Sequence, residues 1–187
     1  MNVFISGGCK NGKSYYAQHI AKEMAEELKV PLYYIATMIP RDEEDNVRIA
    51  RHIDERAGWG FITIEQPAKI LEVCQREEVD LGGVFLLDSV TAITENEMFP
   101  RVKSEETGEI LVEIDESAGQ RVKEDMVNFA KATGNTIFVS DGIYGDGGEY
   151  SESTEEYRQA LAGIDIALAG ACDRVIEISY GQEEVWK

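Results

Sequence analysis

Apolar residues fall along the chain in two kinds of pattern, short continuous runs and longer stripes at helical spacing. NVFIS (Asn2 to Ser6) is a short apolar run that ends at glycines, which predicts a buried strand. SYYAQHIAKEMAEEL follows, with Ala17, Ile20, Ala21, Met24 and Leu28 on one helical face. PLYYIA (Pro31 to Ala36) predicts a second strand. DEEDNVRIARHIDERAG then places Ile49, Ile53 and Ala57 on one stripe, predicting a helix that packs on the core. Its first turn is acidic from Asp42 to Asp45 and its arginines, Arg48, Arg51 and Arg56, come later, an order that complements a helix dipole.

FITIE (Phe61 to Glu65) predicts a third strand, and Pro67 a helix start at the first position, running through Ile70, Leu71 and Cys74. GGVFLLDS is continuously apolar up to Asp88, the pattern of a central parallel strand buried on both faces. SVTAITENEMF is helical. The stretch from Pro100 to Ser117 is acidic and weakly periodic, an exposed excursion rather than a second domain. A helix is expected from about Glu116 to Thr133, a strand at Thr136 to Ser140, and a loop at IYGDGGEYS. Ser153 and Glu156 match a capping box opening the next helix. RVIEIS (Arg174 to Ser179) is a late strand, with GQEEVWK beside it as a short edge strand. Alternating strands and helices imply an α/β fold with a mostly parallel sheet and helices on both faces, in a single domain over residues 1–187.

The junction of the first strand and first helix carries GGCKNGKS, Gly7 to Ser14, which matches G-x-x-x-x-G-K-[ST]. In that context the glycines let backbone N–H groups turn toward phosphates, and the helix adds its positive N-terminal end. Gly7, Gly8, Cys9, Lys10, Asn11 and Gly12 form the cradle. Lys13 is a point charge on the β- and γ-phosphates, and the Ser14 hydroxyl is a ligand for Mg²⁺. A second metal ligand is expected at the tip of a buried strand, where Asp88 and Asp141 both stand. Asp88 is the first choice because its strand is the more apolar.

His52 has Arg48 and Glu55 at helical spacing, so a neutral imidazole between arginines could attack a phosphate while the arginines hold its oxygens. On the spacing alone, a surface or boundary histidine at the edge of the stripe is the preferred reading. His19, in the first helix, reads as structural.

Composition narrows the partners. The chain has 187 residues and a formal net charge of −18, which disfavours nucleic acid. Cys9, Cys74 and Cys172 are odd in number and form no CxxC pair, so neither a zinc site nor a disulfide framework is indicated and a cytoplasmic setting is expected. No segment has the pattern of a signal peptide or a membrane span.

The segments GGCKNGKS, YIAT, RIARH followed by RAGWGFITIE, LLDSVTAITENEMF, VSDGIYGDGGEY and CDRVIEISYG occur in this order across essentially the whole chain. Together they resemble the bifunctional adenosylcobinamide kinase / adenosylcobinamide-phosphate guanylyltransferase family of cobalamin biosynthesis, RIARH after YIAT being far more specific than the phosphate loop. The resemblance implies a P-loop fold and two reactions. A nucleoside triphosphate, ATP or GTP, first phosphorylates the aminopropanol hydroxyl of adenosylcobinamide. GTP then gives GMP to a histidine, which falls on His52, and the GMP passes to the phosphorylated corrinoid.

The resemblance also implies nucleotide contacts at Ala36, Thr37, Glu65 and the turn after His52 (Ile53, Asp54, Glu55, Arg56), with Asp88 as the acidic residue after the LL run. It implies a homo-oligomer, typically a trimer. The chain departs from the family pattern at Asp88 (usually Glu), at Ser140-Asp141-Gly142 (usually Thr-Asn-Glu) and at Asp165-Ile166 (usually Asn and a polar residue). Two other readings stay open on the residues: a P-loop kinase for another small acceptor, and a non-catalytic nucleotide-binding subunit.

Overall fold

A computed structural model of the chain describes residues 1–187 except 105, 106 and 146, and except the side chains at 48, 52 and 55. Seven strands form one sheet in the order β3-β2-β4-β7-β1-β8-β9. They are β1 (Val3–Gly7), β2 (Leu32–Ala36), β3 (Ile62–Glu65), β4 (Val84–Asp88), β7 (Thr136–Val139), β8 (Arg174–Ser179) and β9 (Gln182–Val185). Neighbouring strands pair in parallel except β9, which returns antiparallel along β8 and forms one edge. All seven were expected from the sequence, and five of them (β1, β2, β4, β7 and β8) carry residues with no exposed surface, because helices cover both faces of the sheet.

Strand alternation divides the core in two. Val3, Ile5, Leu86, Ile137 and Ile176 face helix α1 (Lys13–Leu28) through Ala17, Ala21 and Met24. Phe4, Phe85, Leu87 and Phe138 face the other way. There they meet α3 (Val90–Met98), α4 (Ala118–Thr133) and α5 (Glu152–Ala171) through Ile93, Met126, Phe129 and Leu161. Fully burying each such side chain contributes roughly 1.5–3 kcal/mol. Helices α4 and α5 come close at Gly119, where a Cβ would stand 2.7 Å from the Ala160 Cβ. Among the described residues no helix is long and apolar enough to cross a membrane.

Three expectations need correction. Helix α2 (Glu43–Glu55) forms as predicted, capped by Asp42 accepting from the Asp45 N–H, but its apolar residues do not join the core. Ile53 is 55% exposed and Val47 64% exposed, because the two sheet faces are already covered by the other helices. The segment after Pro67 is a 3₁₀ helix (Ile70–Gln75), not an α-helix begun at Pro67. Lys69 adopts a left-handed conformation at φ 52°, which interrupts the chain between the proline and the turn. The Asn96 amide also donates to the Pro67 carbonyl, and the Lys69 N–H to Glu97. Helix α5 is capped by Ser151, whose Oγ accepts from the Thr154 N–H; Ser153 lies already inside the helix.

The acidic excursion contains a hairpin, β5 (Arg101–Lys103) paired with β6 (Ile110–Val112), and is exposed along both strands.

Candidate active site

The phosphate loop is built by a close approach of backbone. Gly7 ends β1 at φ 147°, and a Cβ there would lie 2.2 Å from the Ile178 carbonyl oxygen of β8. Only glycine fits between the two strands at this point. Gly8, Cys9, Lys10 and Gly12 are exposed and Asn11 is half-buried, its amide donating to the Ile178 oxygen at 3.4 Å. Gly12 stands before α1 at φ 89°. Among the described residues no side chain caps this helix start, so its first N–H groups can face an anion.

Lys13 is only 5% exposed. Its Nζ donates to the Gly8 carbonyl and to Asp141 Oδ1, each at 2.7 Å. An ammonium carries three N–H donors, so one is left for a phosphate oxygen. Ser14 follows in the first turn of α1, half-buried.

Asp88 closes β4 in register with Ala36 on one side and Val139 on the other. It accepts from the Tyr34 hydroxyl at 3.2 Å. Burial, then the Asp88 charge, hold that hydroxyl well above its ordinary pKa, so it remains a donor. Arg56, just past α2, is buried with its guanidinium carbon 3.5 Å from the Tyr34 ring centroid, a cation–π contact. Arg56 and Tyr34 thus tie the end of α2 to the strand tip that bears Asp88. Trp59, three residues on, packs edge-on against His19, which also meets Tyr15. His19 is therefore part of an aromatic cluster holding α1 to the turn after α2.

Ser14 and Asp88, the residues expected to hold a divalent ion, offer one hydroxyl and one carboxylate. Such an all-oxygen set suits Mg²⁺. Among the described residues no three His, Cys, Asp or Glu side chains gather into a self-sufficient site. Phosphate oxygens and water would complete the shell, the usual arrangement for this ion.

The remaining predicted residues scatter around the sheet's C-terminal edge. Ala36 is partly buried at the tip of β2, and Glu65 is exposed beside it in register on β3. Thr37 is fully buried, its hydroxyl accepting from the Ser89 N–H at 2.7 Å and donating to the Ser89 carbonyl at 3.1 Å. Ile53 and Asp54 are exposed. The predicted side chains of Arg48, His52 and Glu55 lie outside the described residues; His52 itself stands in α2 four residues, about one turn, before Arg56.

Sequence reasoning did not anticipate a polar network behind the loop. Asp165 of α5 is 3% exposed, and its Oδ2 accepts from Ser140 Oγ at 3.0 Å and the Tyr144 hydroxyl at 2.9 Å. Among the described residues its Oδ1 has no partner. Burial pushes this carboxyl up to about 7, and the two hydroxyl donors only partly offset it. The polar residue in an otherwise apolar helix face was the available signal. A cavity of about 300 Å³ between α4 and α5 is lined by Gly119, Lys123, Glu156 and Gly163 among others and shares no residue with the phosphate loop.

The cobinamide kinase / cobinamide phosphate guanyltransferase family model matches residues 3–184. The chain belongs to this family. It is a bifunctional kinase and guanylyltransferase of cobalamin biosynthesis. No curated protein sequence matches it significantly. Among solved structures, the flagellar accessory protein FlaH from Methanocaldococcus jannaschii is similar at 13% identity and a TM-score of 0.50, covering 100% of this chain and 77% of that one. The ATPase domain of G40P matches at 12% identity and a TM-score of 0.48, over 94% of this chain and 68% of that one. The first likeness concerns the fold alone. Membership of an enzyme family removes the non-catalytic reading.

Proposed function

We propose that one nucleotide site serves both reactions. The phosphate loop and the start of α1 hold the β- and γ-phosphates, with Lys13 as the point charge. In the kinase step ATP or GTP gives its γ-phosphoryl group to the aminopropanol hydroxyl of adenosylcobinamide. In the second step His52 takes GMP from GTP, releasing pyrophosphate, and passes it to the phosphorylated corrinoid to give adenosylcobinamide-GDP. Splitting nucleotidyl transfer through a phosphoramidate replaces one difficult displacement by two easier ones.

The observation that carries this reading is the placement of Lys13. It is buried beneath the loop with one donor to spare, two strands from Asp88 in the sheet and thus close to the tip where α2 is anchored by Arg56. A bound Mg²⁺, held by Ser14 and Asp88, would neutralise charge on the phosphates. The chain's own part is positioning: loop N–H groups orient the triphosphate, Lys13 fixes its end, and α2 presents the nucleophile. A homo-oligomer, a trimer by resemblance, is part of the same reading. The exposed apolar residues Ile110, Leu111 and Val112 of the hairpin and Val47 and Ile53 of α2 are surfaces it would cover.

The test uses GTP labelled on the α-phosphate. Incubation with Mg²⁺ is expected to leave an acid-labile, base-stable GMP adduct that maps to His52 and is missing from His52→Ala. An adduct on another residue, or an unchanged adduct in His52→Ala, would sink the histidine route.

A further inference from the structure

Asp141 is held more firmly than a strand-tip residue requires. The Ser140 N–H donates to the Ile5 carbonyl, the Asp141 N–H to Thr91 Oγ1 of α3, and the Gly142 N–H to the Gly7 carbonyl. Ser140 and Tyr144 on either side are fastened to Asp165. The carboxylate is therefore fixed between the phosphate loop and α3. Its Oδ1 is bonded by Lys13, while its Oδ2 accepts no hydrogen bond among the described residues. The side chain is 25% exposed, so it is open to an incoming molecule.

Lys13 links this carboxylate to the triphosphate. A phosphate oxygen taking the third Lys13 donor stands two hydrogen bonds from Asp141 Oδ1, at most about 6 Å away. A carboxylate so near a γ-phosphate cannot bind it directly, since both are anions. It has two useful roles, metal ligand or proton acceptor. An ammonium already bonded to the carboxylate disfavours a second cation there, because the two cations repel at short range.

We propose that Asp141 is a catalytic residue of the kinase step, its free Oδ2 taking the proton of the acceptor hydroxyl. The hydroxyl oxygen forms its bond to the γ-phosphorus as the proton moves to Oδ2. The bond between that phosphorus and the β–γ bridging oxygen breaks, and its electron pair leaves on the nucleoside diphosphate. Lys13 steadies the carboxylate and the phosphate together, so the base and the group to be transferred are held by one cation. Asp165 is a positioning residue, fixing the segment from Ser140 to Tyr144 that carries the base.

The inference rests on the kinase activity of the family, and the experiment separates the two. Kinase turnover, the GTP dissociation constant and the Mg²⁺ concentration for half-maximal rate are measured for the wild type, Asp141→Asn and Asp141→Glu. Turnover is expected to fall about 10²- to 10⁴-fold in Asp141→Asn, the usual contribution of a positioned base. The GTP dissociation constant is expected not to rise, since Lys13 loses a competing partner. Asp141→Glu, which keeps a carboxylate, is expected to recover part of the lost rate, and thermal unfolding confirms that each variant is folded. Turnover in Asp141→Asn within about fivefold of the wild type would overturn the proposal. So would a joint rise in the GTP dissociation constant and the Mg²⁺ requirement, which marks a metal ligand, or equal deficits in the Asn and Glu variants. A wild type without kinase turnover would instead remove the activity on which the proposal rests.

Discussion

An ammonium group that already gives two of its hydrogens to Gly8 and Asp141 is oriented before any phosphate arrives. That preorganisation lowers the entropic cost of placing the charge when a nucleotide binds. The same neighbourhood holds Asp165, a carboxyl whose pKa burial raises from 3.8 to about 7. Its folded state binds the proton more tightly than its unfolded state. The stabilisation is therefore fully present below about pH 3.8, the unfolded value, and is lost as pH rises through about 7. Asp165→Asn cannot ionise, and its amide oxygen can still accept from Ser140 and Tyr144. Denaturant unfolding from pH 5 to pH 8 should show the wild type losing stability against Asp165→Asn, on the order of a few kcal/mol. Parallel stability curves would mean that the carboxyl does not titrate in this range.

Elements were legible where the signal is local. The GxxxxGKS loop is contiguous in sequence, and the apolar runs of β1, β2, β4 and β7 coincide with the buried strands. Helix α2 shows the limit of a periodic pattern. Periodicity predicts a helix with an apolar side, but it does not say what that side meets, and Ile53 faces solvent. The contacts that organise the site were not legible for another reason. Lys13 and Asp141 are 128 residues apart in sequence, and Arg56 meets Tyr34 only because of strand order.

The cap of α5 is a smaller case. Two serines compete for one role, and the backbone decides, since Ser151 is extended and Ser153 helical. Ser151→Ala should therefore cost about 1 kcal/mol of stability, while Ser153→Ala should cost little. Urea unfolding of the two variants distinguishes them, and the reverse order would return the cap to Ser153.

At the scale of the whole molecule, a chain of net charge −18 binds a polyanion. Long-range attraction cannot do this, so on the proposed reading the work falls to a few groups at short range, the uncapped start of α1 and Lys13 foremost. Sheet topology brings these together. Strand β7 separates β1 from β4, so Asp141 stands between the phosphate loop and Asp88. The consequence is that the two reactions should depend on one loop.

Lys13→Ala tests that most directly, with γ-phosphoryl transfer to cobinamide and GMP adduct formation measured on the same preparation. Both rates should fall together, each by about 10²- to 10³-fold, as expected when a preorganised charge is removed from a phosphate site. Loss of one activity with the other retained near its wild-type rate would contradict a shared site.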